Sequence, residues 1–291
     1  MSSLVPVTHH TIDVDGIEIF YRQAGPPDAP VVLLPHGYPS SSFQYRMFMR
    51  ALGDRYHLIA PDYPGFGYSE APPRDTFTYS FQAYADGLER FTEVLSIDKY
   101  TLYIFDYGSD VGFDLAARHP ERIDALIIQN GDLYEDALGP KYQALKELWA
   151  DPTEDKRAQL RENVTFEGLK EEVLGEVAPD IAQRISPDLW QLSWPILERN
   201  REAMVDLFLD LGESIKRYPA YRAALRKLQP PTLIIWGPND GYMPANSGRA
   251  YLQDLPNAEF HLLPDAGHWA IETHLAEIVD LTRDFLGRLH R

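Results

Sequence analysis

Short apolar runs punctuate the chain, each closed by a polar residue, Gly or Pro. "VVLLPHG", "YHLIAPD", "YTLYIFD" and "IDALIIQN" come early, and "PTLIIWG" and "AEFHLLPDAGH" come late. Such runs suit strands buried on both faces of a parallel sheet. "TIDVDGIEIFY" instead alternates apolar and polar residues about Asp15-Gly16, which predicts an antiparallel hairpin. Between the runs lie stretches with helical period. "FQAYADGLERFTEVL" sets Phe81, Tyr84, Leu88, Phe91 and Leu95 on one side of a helix, and "VGFDLAARHP" and "LAEIVDLTRDFLGRL" read likewise. Strands alternating with helices predict an α/β fold, with a mostly parallel sheet flanked by helices.

The alternation stops after Asn130. From Asp132 to Leu228 no strand pattern appears. Charged helical segments such as "KYQALKELWA", "EDKRAQLREN" and "NREAMVDLFLDLGESI" take its place, broken at Pro152, Pro179, Pro187 and Pro195. The expected organisation is a core over 1–131, a helical cap over 132–228, and the rest of the core over 229–291. No internal repeat or low-complexity tract is visible.

The chain has 291 residues, 44% of them hydrophobic, enough for one large core with an insertion. Its formal net charge of −17 repels phosphate backbones and anionic lipid, which argues against nucleic-acid and membrane partners. The absence of Cys excludes disulfides, thiolate catalysis and Cys-ligated zinc. "MSSLVPVTHH" has neither a basic region nor a long apolar segment, so no signal peptide is expected. A cytoplasmic location follows as the expectation, and homo-oligomerisation is left open. His9-His10 has no third ligand at a sensible spacing, so no metal is inferred.

Four chemistry-bearing signals lie where strands end: "LLPHGYP" with His36 to Pro39, "YIFDYGSDVG" with Asp106 before a helix, "IIWGPND" with Asp240, and "PDAGHWAIE" with His268. The C-terminal edge of an open α/β sheet is where ligands bind. An elbow between strand and helix exposes a nucleophile there, and Gly108 allows the close approach it requires. The N–H groups of Tyr107 and Tyr38 are the candidate oxyanion donors. Taken alone, Asp106 reads as a helix N-cap; the ordered companions Asp240 and His268 favour a nucleophile.

"HGYP", "PDYPGFGYSEAP", "FDYGSDVGFDLAARHPERI", "WGPND" and "AGHW", in this order, resemble the α/β-hydrolase superfamily. Within it they resemble the Asp-nucleophile branch of epoxide hydrolases and haloalkane dehalogenases. The resemblance implies a catalytic triad of Asp106, Asp240 and His268 beneath a helical cap, with no cofactor. It also implies attack of Asp106 on an sp³ carbon, followed by hydrolysis of the alkyl ester. The substrate expected is small, neutral and apolar, with water as co-substrate.

An epoxide leaves as an alkoxide and needs a proton donor; a halide needs polarised N–H donors. Tyr107 stands where the resembled dehalogenases carry Trp, and Tyr38 where many carry Asn. Both favour an epoxide, while Ile104 and "GSDVGF" look more like a dehalogenase. Haloacid dehalogenases of this branch place Arg where Tyr107 and Asp110 stand, which disfavours an anionic haloacid. Candidate cap donors are Tyr134, Tyr142, Tyr218 and Tyr221. The second cap tyrosine of epoxide hydrolases has no counterpart in "FLDLGE". Trp149, Trp190 and Trp194 are the candidates for a halide pocket. His36, Tyr142, Trp149, Tyr218 and Tyr221 complete the expected substrate-binding set, with His36 also ordering its loop.

Overall fold

A computed structural model describes residues 5–290. The strands are β1 (Thr8–Val14), β2 (Ile17–Ala24), β3 (Val31–Leu33), β4 (His57–Pro61), β5 (Tyr100–Ile104), β6 (Ile123–Gln129), β7 (Thr232–Trp236) and β8 (Glu259–Leu262). They form one sheet in the order β1-β2-β4-β3-β5-β6-β7-β8. The first two junctions, β1 with β2 and β2 with β4, are antiparallel; the rest are parallel. Every residue of β5 and β7 is buried, which is why both read as unbroken apolar runs.

The strand order has a consequence for function. From β3 the chain crosses to β4 on one side, then returns to place β5 on the other. The loops leaving β3 and β5 therefore diverge, and a crevice opens at the sheet's C-terminal edge between them. The His36–Pro39 segment leaves β3 and Asp106 leaves β5, so this switch point brings the two motifs together.

Helices α1 (Arg46–Leu52), α2 (Phe81–Val94) and α3 (Tyr107–Arg118) fill the early connections. In α2 the stripe expected from the sequence is the buried face: Phe81, Tyr84, Leu88 and Phe91. Seven helices separate β6 from β7: α4 (Tyr142–Ala150), α5 (Glu154–Asn163), α6 (Phe166–Leu174), α7 (Pro179–Ala182), α8 (Asp188–Arg199), α9 (Arg201–Ile215) and α10 (Tyr218–Leu228). Helices α4 and α5 pack on α9, α6 packs on α8, and α10 lies against α3. Helix α11 (Ala245–Ala250) follows β7, and α12 (Ala270–Thr273) and α13 (Leu275–Leu289) follow β8.

Proline placement departs from expectation at one point. Pro179 starts α7 and Pro187 caps α8, where a missing N–H costs little. Pro195, expected to break a helix, lies inside α8. Burial of Leu189, Trp190 and Leu197 on the same helix holds it despite the lost hydrogen bond. Among the described residues, no helix is long and apolar enough to cross a membrane.

Candidate active site

Asp106 joins β5 to α3 with φ 47° and ψ −127°, a conformation that costs an L-residue backbone strain. Backbone bonds hold it there. Its N–H donates to the carbonyl of Asn130 at 3.1 Å, and its own carbonyl accepts the N–H of Ser109 at 2.8 Å. The helix must also approach the β3 loop closely: a Cβ on Gly108 would lie 2.6 Å from the carbonyl oxygen of Pro35.

Its carboxylate makes no capping bond to α3. Ser80 on α2, by contrast, accepts the N–H of Ala83 at 3.1 Å in ordinary capping fashion. The N-cap reading of Asp106 therefore fails on geometry. Oδ1 instead accepts the backbone N–H of Tyr38 at 2.5 Å, and Oδ2 lies 3.5 Å from Nε2 of His268. Tyr107 is the first residue of α3, so its N–H has no partner within the helix.

His268 Nδ1 donates to Oδ2 of Asp240 at 2.8 Å, which fixes the tautomer and aims Nε2 at Asp106. Asp240 is buried and fully engaged. Oδ1 accepts the N–H groups of Tyr242 at 2.9 Å and Met243 at 3.0 Å, and Oδ2 also accepts the side-chain amide of Asn130 at 2.9 Å. Burial alone would raise its pKa, but His268 and these donors outweigh burial and hold it below the usual carboxylate value. For His268, burial opposes the charged ring, yet Asp240 and Asp106 prevail and hold its pKa well above 6.5. Asn130 thus acts as a clamp on Asp240.

Above Asp106 lies a cavity of about 270 Å³. The sheet side contributes Tyr38, Asp106, Tyr107 and Tyr242. Helices α4, α6 and α9 contribute Tyr142 and Leu145, Leu169 and Glu172, and Phe208 and Leu211. Burial raises the phenol pKa of Tyr38, Tyr107, Tyr142 and Tyr242, so each remains an O–H donor at neutral pH. The Tyr142 hydroxyl donates to Oδ2 of Asp132 through a short contact.

Four of the five expected substrate contacts lie elsewhere. His36 is fully buried in the loop: its Nε2 accepts the N–H of Tyr63 at 3.1 Å, and Nδ1 donates to the carbonyl of Gly37 at 3.0 Å. Trp149 sits two turns beyond Tyr142 on α4 and packs onto α9 at Gly212. Its indole donates to the carbonyl of Phe208 at 2.7 Å, and its ring borders a separate surface groove. Tyr218 and Tyr221 share one face of α10 with Leu225, and that face turns into the core against α3. Tyr134 donates to Asp254 at 2.9 Å. Trp190 and Trp194 also lie outside the cavity lining.

Two lining residues escaped the sequence reading. Glu172 projects from α6, 3.8 Å from the Lys141 ammonium, and accepts the hydroxyl of Tyr242 at 3.4 Å. Burial raises its carboxyl pKa, with Lys141 opposing. Tyr242 lies two residues past Asp240, in the turn that holds it. "FEGLKEEVL" had the period of a helix but carried no motif to mark Glu172.

A carboxylate at a strand–elbow–helix turn, a buried Asp–His pair and a switch-point crevice define the class. Residues 30–275 match the family model for the alpha/beta hydrolase fold, and the chain belongs to that family. The uncharacterized hydrolase YNR064C of Saccharomyces cerevisiae is 33% identical over 285 residues, covering 96% of this chain and 97% of that protein. A cis-3-alkyl-4-alkyloxetan-2-one decarboxylase of Shewanella oneidensis is 27% identical, covering 98% of this chain and 90% of that one. Among solved structures, a loop variant of the haloalkane dehalogenase DbeA from Bradyrhizobium elkanii superposes with a TM-score of 0.79. It covers 98% of this chain and 97% of its own at 23% identity, a likeness of fold. The protein is a hydrolase of this superfamily with haloalkane dehalogenase-like structural neighbours.

Proposed function

We propose that the protein opens an epoxide through an alkyl ester on Asp106 and releases a vicinal diol, using water and no cofactor. The observation that carries this is the Asp106 carboxylate. It sits at a strained elbow, caps nothing, and lies between the Tyr38 N–H and the His268 ring. A carboxylate needs no base to attack an sp³ carbon. As the Asp106 oxygen bonds to carbon, the ring C–O bond breaks and its oxygen takes a proton from the cavity wall. Water then attacks the ester carbonyl, His268 takes the water's proton, and the N–H groups of Tyr38 and Tyr107 hold the oxyanion. Collapse frees the diol, which takes the proton back from His268; Asp106 is left as its acid, and that proton returns to the wall donor and restores the carboxylate.

Esterification also readies the base. While Asp106 is anionic, it helps to hold His268 protonated. Once Asp106 is a neutral ester that contribution disappears, and the ring gives up its proton more readily.

The wall favours an epoxide. It offers the phenols of Tyr38, Tyr107, Tyr142 and Tyr242 as proton donors for an alkoxide, and its lining contains no indole. Asp106 and Glu172 lie in a lining without Lys or Arg, which disfavours anionic substrates. The Shewanella relative is named for a strained oxygen ring, an oxetan-2-one. The second reading is haloalkane cleavage by the same carboxylate, and the amide of Asn163 in the wall is the donor that favours it.

Turnover of epoxide and haloalkane panels, followed by diol formation and halide release, separates the two. Halide without diol reverses the order. His268→Gln should trap substrate mass on the Asp106 peptide; a productive wild type whose variant never carries the adduct would sink the covalent mechanism. Ligand binding without turnover of either panel would mark a binding protein.

A further inference from the structure

Behind the cavity lies a buried carboxyl that the mechanism above leaves unused. Asp132 follows β6, and its backbone N–H donates to Oγ of Ser109 at 3.1 Å. Ser109 in turn bonds to the Asp106 carbonyl, so the residue is tied to the elbow itself. The side chain is fully enclosed. Oδ2 meets the Tyr142 hydroxyl, and among the described residues Oδ1 has no hydrogen-bonding partner.

Its surroundings are acidic or neutral. Asp106 at the elbow, Asp110 on α3 and Asp240 after β7 act on it, all three as carboxyl groups. The phenols that face it belong to Tyr142 on α4, Tyr218 on α10 and Tyr251 after α11. The Tyr251 hydroxyl is already given to the carbonyl of Gly131 at 2.8 Å, and the Tyr218 hydroxyl has no partner among the described residues. An enclosed carboxylate among other carboxyl groups, compensated by one phenol, is a costly arrangement; the neutral acid is not.

Neutrality changes the direction of the bond to Tyr142. A protonated Asp132 donates through Oδ2 to the Tyr142 oxygen, which frees the tyrosine's own hydrogen for the cavity that Tyr142 lines together with Asp106. We propose that Asp132 is a positioning residue held as the neutral acid, and that it supplies through the Tyr142 hydroxyl the proton taken by the leaving oxygen as Asp106 attacks. This rests on the epoxide reading.

The step balances. The Asp106–carbon bond forms and the ring C–O bond breaks. The alkoxide takes the Tyr142 proton, Tyr142 takes the Asp132 proton, and Asp132 is left as the carboxylate. Hydrolysis of the ester by water regenerates Asp106 first as its acid, and that proton restores Asp132. Burial pushes the Asp132 carboxyl well above the usual range, with the Tyr142 bond opposing, in keeping with a proton retained until the ring opens.

The test uses the full chain, with Asp132→Asn and Tyr142→Phe as variants, and single-turnover formation and hydrolysis of the ester followed across pH with styrene oxide. Both variants should slow ester formation by about 10²-fold or more while ester hydrolysis stays near the wild-type rate. The solvent deuterium isotope effect on ester formation should vanish with them. In an Asp110→Asn background, which removes the other buried acid that keeps its proton near neutral pH, the infrared carbonyl stretch of a protonated carboxylic acid should be present at neutral pH and lost on adding Asp132→Asn. A purely structural pair would slow both steps alike, keep the isotope effect and show no such band, and that outcome overturns the relay. If Asp132→Asn does not fold, Tyr142→Phe decides the kinetic arm and the infrared titration of Asp110→Asn decides the protonation state. A wild type that opens no epoxide fails the underlying reading. A wild type that does so, with both variants unchanged, fails the relay alone.

Discussion

The side-chain oxygen Oδ1 of Asp106 accepts the backbone N–H of Tyr38 at 2.5 Å, joining the loop after β3 to the elbow after β5. The residue between, Gly37, has no room for a side chain. A Cβ there would lie 2.5 Å from the Asp106 Cβ and 2.6 Å from its Oδ1. Gly37→Ala should therefore shift the Asp106 carboxylate, lowering kcat/KM by roughly 10² while the protein still folds. Circular dichroism alongside turnover checks this, and a fully active Ala variant refutes it.

The imidazole of His268 gives a signed pH prediction. Its folded pKa is raised above 6.5, so its charged form contributes stability that is complete below about pH 6.5 and is lost as pH rises through the folded value. The Asp240 pKa is lowered from 3.8, so its contribution is lost only in acid as pH falls below that value. The melting temperature of the wild type should exceed that of His268→Gln most between about pH 4.5 and 6, and the gap should narrow toward pH 9. A gap that widens with pH contradicts the pairing.

Asp110 behaves in the opposite way from a paired carboxylate. Burial lifts its pKa from 3.8 to about 7, against the hydroxyl of Ser214 that bonds to it. Folding thus retains its proton, and stability is lost as pH rises from 3.8 to 7. Asp110→Asn keeps an acceptor for Ser214 and removes that loss. The variant should match the wild type near pH 4 and exceed it above pH 7, by up to about 4 kcal/mol. Urea unfolding at both pH values measures it; equal stability at pH 8 argues against a buried proton.

Arg74, in the loop before α2, grips Asp206 of α9 through two bonds of 2.6 and 2.9 Å; from α5, Arg157 reaches the same carboxylate and Arg161 reaches Glu202. The cluster joins the β4–α2 connection to the helices over the cavity. It is solvent-exposed, so its worth is small. Arg74→Ala should cost no more than about 1 kcal/mol at low salt and less in 1 M salt. Unfolding at the two salt concentrations tests this, and a large, salt-insensitive loss would point to packing instead.

The amino-acid order alone determined the eight strands. A strand buried on both faces has no polar side to interrupt it, so β5, β6 and β7 stand out as apolar runs. It also pointed to Asp106, Asp240 and His268, because each follows a strand and strand ends share one edge, where their side chains meet. Only the tertiary structure decided which aromatic residues reach the cavity. Tyr142, Leu145 and Trp149 lie on one stripe of α4, yet Trp149 ends against Gly212 of α9 while the other two line the cavity above Asp106. Tyr218, Tyr221 and Leu225 form another such stripe, spent on packing against α3. Periodicity shows that a helix has a buried face; it does not show whether that face meets a core or a cavity, because both exclude water equally. Glu172, Tyr242 and Asp132 were invisible for a related reason. Their roles come from neighbours distant in sequence, and burial among those neighbours, rather than residue type, sets how each carboxyl group and phenol holds its proton.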